Sequence, residues 1–198
     1  MLTHLKGGLW GAAWRSLSVA LLLAALSAGV RVVLIAVLPD GAWSDDLYDW
    51  PVVAQLLRQG QNPYNVTHLL NWPPLWMQII FVLDHVSKLT HHRLERVIQA
   101  FLITLEAMVT FVTYLLLARH WNVARAWLLV LVGLVLDPVA FILTTIHGNF
   151  DLIVGLAVLL FIWSLTSWRR SGRPEDWLLA CLFLGTGADG RGPLRPGY

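Results

Sequence analysis

The chain has 198 residues, 57% of them hydrophobic and only 13% charged, with a mean hydropathy of +0.64 and a formal net charge of +2. A soluble domain carries about a quarter charged residues, so a fold that keeps all of this chain in water is excluded. The basic residues fall in short clusters beside apolar runs and form no nucleic-acid patch, and the single Cys181 has no partner for an internal disulfide.

Residues 16–38 form the first long apolar run, interrupted only by Arg31. The run is longer than a signal-peptide core and long enough to span a bilayer, so it predicts an uncleaved first helix. Arg31 must snorkel to an interface or face the protein interior, because a guanidinium at mid-bilayer costs roughly 3 kcal/mol. Three more crossings are predicted at residues 97–118, 126–146 and 150–168. Gln99 and Glu106 then fall inside the second crossing, where they are expected to face other helices. Cys181, inside a later apolar run, is expected to be buried.

Residues 75–83 are apolar but cover only half a bilayer as helix, and Asp84, His85 and Lys88 follow. Positive charge decides whether they span. If they do not, Lys6, Arg15, Arg119, Arg125, Arg169, Arg170 and Arg173 share one side in short segments. Arg58, Lys88, Arg93 and Arg96 are then spread over one long loop on the other side. If they do span, the asymmetry disappears. Four crossings with a cytoplasmic amino terminus are therefore predicted, with residues 39–96 as an external loop. The fold class is all-α, polytopic, with helices lying on the membrane in that loop.

In the loop, Pro51 suits a helix first turn, Val52, Val53, Leu56 and Leu57 recur at helical spacing, and Gly60 can end the helix. Asn62-Pro63-Tyr64 reads as a turn, and Trp72-Pro73-Pro74 as extended backbone before re-entry. Asp45 and Asp46 stand near the membrane exit among Trp43, Tyr48 and Trp50, ring surfaces that suit sugars or headgroups. Most such aspartates are solvated loop starts; a general base would need its pKa raised at a partly dry interface.

Asp137-Pro138 predicts a kink in the third crossing. His147-Gly148-Asn149-Phe150-Asp151 joins two crossings with almost no loop. Gly148 permits the reversal, and Asn149 can cap the next helix, whose amino-terminal end would attract a phosphate. Capping alone also accounts for Asn149. His91-His92 lacks a third ligand at useful spacing, which argues against a metal site. Residues 177–185 begin a fifth apolar run, and the Gly/Pro-rich tail 186–198 reads as the disordered or frame-shifted end of an incomplete protein.

Asp46-Leu47-Tyr48, Ala54, Leu57, Gly60, Pro63-Tyr64 and Trp72-Pro73-Pro74-Leu75, followed by His147-Gly148-Asn149-Phe150-Asp151, resemble the GT-C superfamily of membrane glycosyltransferases. The likeness is greatest to the bacterial polyprenyl-phosphate-mannose-dependent enzymes and extends to the dolichyl-phosphate-glucose-dependent ones. It implies a hexosyltransferase, of mannosyl or glucosyl type, in a bacterial plasma membrane rather than the endoplasmic reticulum. The donor would be a polyprenyl-phosphate sugar and the acceptor a lipid or glycan. Asp46, or Asp45, would be the catalytic base, and His147, Asn149, Asp151, Tyr64 and Trp72 would bind substrate. The resemblance leaves a divalent cation open, since some relatives use one and others do not. Complete members have about twice as many crossings, so this chain would be an amino-terminal part, residues 1–185, and an inactive fragment is one outcome. The competing class is a non-catalytic multi-pass protein, a scaffold or a transporter fragment.

Overall fold

The computed structural model describes residues 3–38, 45–66, 73–142, 146 and 150–188, with side chains from Trp14 onward except those of residues 45, 46 and 186–188. The described residues are helical, with no strand among them. Three helices are long and apolar enough to cross a membrane. They are Trp14–Val37 within α1 (Thr3–Val37), α5 (Leu94–Ala118) and α8 (Asp151–Ser171), with hydropathies of 2.4, 2.0 and 1.8. The chain is an all-α, polytopic membrane protein, and exposed Leu21, Leu22, Val32 and Val33 give α1 a face suited to lipid.

α5 is the central helix. On α1, Ala20, Leu23, Ser27 and Arg31 are buried, a stripe with helical spacing. The stripe meets Glu106, Thr110 and Tyr114 of α5: Arg31 reaches Glu106, and Thr110 donates to Ser27 at 3.5 Å. The two pairs step in opposite directions along the chain, so α1 and α5 are antiparallel. Small residues at 20 and 27 let the backbones approach, as membrane helix pairs require. α8 lies along α5 in the parallel sense: Phe101 and Phe150, early in each, flank Trp76, and Arg119 and Trp163, late in each, stack.

The predicted third crossing is in pieces. α6 (Val123–Val130) continues as a π-helical turn, Leu131–Val135, and the chain resumes as α7 (Pro138–Phe141). The run Val123–Val135 reaches about 20 Å, short of the roughly 30 Å of hydrocarbon. The break has two local causes. Pro138 has no N–H to give Leu134, and the Val139 N–H is taken by the Asp137 carboxylate at 2.9 Å. The Leu136 N–H closes the π turn on Leu131 O at 2.9 Å.

Residues 75–83 belong to α4 (Pro74–Thr90), which has 17 residues and buries Trp76, Met77, Ile80, Leu83, Asp84 and Ser87 at helical spacing. With Asp84, His85 and Lys88 aboard it is not among the helices fit to span. The long loop is thus a helical layer: α2 (Asp45–Arg58), the single turn α3 (Pro63–Val66) and α4. α2 begins at Asp45, earlier than expected, so Pro51 sits inside it rather than in its first turn. Acidic residues 45 and 46 instead occupy that first turn, where the helix dipole favours them. Gly60 ends the element as expected, with φ +69 and the Gln61 N–H on Leu56 O at 3.0 Å.

α9 (Pro174–Ala188) doubles back along α8 through Gly172, which has φ +65. Cys181 is exposed there, contrary to the buried position expected, because α9 covers only one of its faces. The helix carries residues 186–188 of the segment expected to be a disordered tail; residues 189–198 lie outside the described residues.

Candidate functional site

Along α2, Leu47, Trp50, Val53 and Ala54 are buried at helical spacing against α4 and α5. Three aromatic contacts extend that layer. Trp50 meets Trp76 edge to face, with ring centroids 5.5 Å apart and planes at 80°. Trp76 stacks on Phe150 at 5.8 Å and lies 6.5 Å from Phe101. Such pairs contribute about 0.5–1.5 kcal/mol each beyond area burial. They join α2 to the residue that opens α8. The stretch carrying Asp45 and Asp46 and the stretch carrying Asp151 are therefore brought to one end of the helices, beside the early turns of α5.

Asp46 stands one helical turn before Trp50; the side chains of Asp45 and Asp46 lie outside those described. Asp151 is the first residue of α8 and is exposed. Tyr64 packs half-buried against the same aromatic core, and its N–H is held by Asn62 Oδ1 at 3.1 Å. Burial raises the Tyr64 phenol above its usual value, so it stays protonated at neutral pH. Trp72, His147, Gly148 and Asn149 lie outside the described residues.

A three-charge cluster fastens the layer. Asp84 on α4 receives Arg58 Nη1 of α2 on Oδ1 at 2.6 Å and Lys88 Nζ on Oδ2 at 3.0 Å. Burial pushes the Asp84 carboxyl up, but hydrogen bonds from Lys88 and Arg58 and their charges outweigh it and hold the group below its ordinary value. Among the described residues, no three His, Cys, Asp or Glu side chains gather as metal ligands would.

A second polar centre lies deep between α1, α5 and the broken helix. Arg31 forms an ion pair with Glu106, both buried, and its guanidinium also donates to the carbonyls of Val135 and, at 2.9 Å, Leu134. Those two carbonyls are the ones that Pro138 and Asp137 leave without their helical donors. Arg31 therefore satisfies the break while Glu106 neutralises it. Each residue stood out singly in the sequence as an isolated charge in an apolar run. The opposite signs were the available signal for pairing them, but the register between helices was needed to use it.

Beside this centre, between the last turns of α1 and the first turns of α5, lies an open groove of about 270 Å³. Val32, Ile35, Ala100 and Ile103 line it, with Arg96 and Gln99 at its polar edge. No family model matches the chain, and neither a curated protein nor a solved structure matches it.

Proposed function

We propose that this chain is the amino-terminal part of a membrane glycosyltransferase of the GT-C type, which moves a hexose from a polyprenyl-phosphate donor to a lipid or glycan acceptor. The observation that supports it most is the ring contact Trp50–Trp76–Phe150, which ties the helix that begins at Asp45 and Asp46 to Phe150, next to Asp151 at the start of α8. On this reading, the Asp46 carboxylate, with Asp45 beside it, takes the proton from the acceptor hydroxyl. The freed oxygen attacks the anomeric carbon, and the bond from that carbon to the phosphate oxygen breaks, releasing polyprenyl phosphate. The phosphate is a good leaving group, so positioning and one base suffice. The apolar groove between α1 and α5 is suited to the prenyl chain, with Arg96 at the phosphate. The charge asymmetry supports a reaction on the face opposite the amino terminus, which on this reading is the external side of a bacterial plasma membrane.

The test is transfer of labelled hexose from a polyprenyl-phosphate donor by membranes containing the chain. Asp46→Asn and Asp45→Asn are measured separately, and loss of the base is expected to lower transfer about 10²–10⁴-fold in one of them. Full transfer in both variants removes the proposed base. No transfer by the unaltered chain, with donor binding also absent, favours the non-catalytic membrane protein.

A further inference from the structure

At the opposite end of the helices from the aromatic layer, α5 stops at Arg119. The Arg119 guanidinium lies over the Trp163 ring of α8, with Cζ 3.3 Å from its centroid, and Nη1 donates to Ser167 Oγ at 3.5 Å. Trp163, Ser167 and Arg170 recur at helical spacing, so one face of α8 presents a ring, a hydroxyl and a second guanidinium to Arg119. Arg119 is half-buried. Burial, and then the positive charge of Arg170, disfavour its protonated form. Among the described residues, neither Arg119 nor Arg170 forms an ion pair. Of the two acids in the first turn of α9, Glu175 and Asp176, the latter accepts from Ser171 at 2.7 Å. The carboxyl ends of α5 and α8 favour cations, but each offers only about half a charge, while Arg119, Arg169, Arg170 and Arg173 all gather there.

We propose that Arg119 of α5 and the Trp163–Ser167–Arg170 face of α8 bind the phosphate of an anionic phospholipid. A planar guanidinium fixed on a ring matches two phosphate oxygens at once, and the hydroxyl and second guanidinium supply further donors. A lipid is favoured over a soluble anion by depth. Arg119 follows directly on the last residue of a spanning helix, where headgroups lie. Val158 and Ile162, farther into α8, leave apolar surface for acyl chains. The tilted ring pair Trp168 and Trp177, with centroids 5.0 Å apart, marks the same interfacial level. This site is independent of the transferase reading.

The experiment measures lipid retained by the purified full chain in neutral detergent, by native mass spectrometry, after exposure to phosphatidylglycerol or phosphatidylcholine. Preferential retention of phosphatidylglycerol is expected, weakened about fivefold in Arg119→Gln and again in Arg170→Gln. Arg93→Gln, at the other end of α5, is expected to leave retention unchanged. Arg170 is exposed, so Arg170→Gln keeps the test decisive should Arg119→Gln fail to fold. Equal retention of the two lipids, or no change in Arg170→Gln, overturns the proposal. So does displacement of the lipid by inorganic phosphate at matched concentration, which assigns the site to a soluble anion.

Discussion

Two of the cation–carboxylate centres among the described residues differ sharply in their surroundings. Arg58, Asp84 and Lys88 meet in the helical layer, where the Asp84 side chain is 7% exposed but its partners are 36% and 53% exposed. Arg31 and Glu106 meet between apolar helices with exposures of 1% and 4%. In the first, water and salt screen the partners, and loss of one leaves the other a solvated alternative. In the second no solvent replaces a lost partner, and one side chain also closes a broken helix. Similar chemistry thus fastens a layer in one place and makes a discontinuous helix tolerable in the other.

The largest effect should come from breaking the deep centre on one side only. Arg31→Met or Glu106→Leu alone is expected to destabilise by about 3–5 kcal/mol, since each leaves an uncompensated buried group. The double variant should recover only part of that loss. The Leu134 and Val135 carbonyls remain without donors, at about 1–3 kcal/mol each. Unfolding in mixed micelles measures all three variants. Additive losses in the double variant would mean that the pair is not coupled.

Next comes Trp76→Ala, expected to cost about 3–5 kcal/mol because the ring is fully buried between Trp50 and Phe150. It should also free α2 from α8. Hydrogen exchange across α2 would then accelerate, while the Ser27–Thr110 region of α1 and α5 keeps its protection. Uniform acceleration in both regions would show that the layer and the spanning helices do not open separately.

Much of this contrast was legible in advance, and unevenly so. The three spanning helices follow from apolar length, which a single charge such as Arg31 or Glu106 does not break and any register preserves. The break in the third predicted crossing was announced by Asp137-Pro138, yet the expectation of a kinked crossing underestimated it. One proline removes one donor, and only the Asp137 cap on Val139 removes the second. The position of α2 was misread because Pro51 was assigned to a first turn that Asp45 and Asp46 occupy. Trp50, Trp76 and Phe150 were noted or passed over as separate rings, and nothing local in a sequence tells which rings will meet across a hundred residues. For the same reason the sequence points Glu106 toward other helices and leaves Arg31 either at an interface or facing inward, without making the two partners.

The shallower centre predicts a smaller and pH-dependent effect. Asp84→Asn is expected to cost about 1–2 kcal/mol, since it removes charge but keeps an acceptor. The folded carboxyl titrates below its unfolded value of 3.8, so the unfolded state takes up the proton first as pH falls. The contribution is whole above 3.8 and disappears as pH drops through the lowered folded value. Acid titration of stability should therefore flatten in Asp84→Asn, and added salt should shrink the difference. An unchanged acid limb in the variant would place the titrating group elsewhere.

Gly172→Ala should give the smallest change and serves as a control on the whole comparison. Its φ of +65 penalises any β-carbon by about 1–2 kcal/mol, though the space around it is open. It belongs to neither charge centre, because it only turns α8 into α9. Its cost should therefore add to that of Arg31→Met within about 0.5 kcal/mol, as for independent sites. A much larger combined loss would mean that the α8–α9 hairpin supports the buried ion pair through α5, and the two centres would then have to be treated as parts of one cooperative unit.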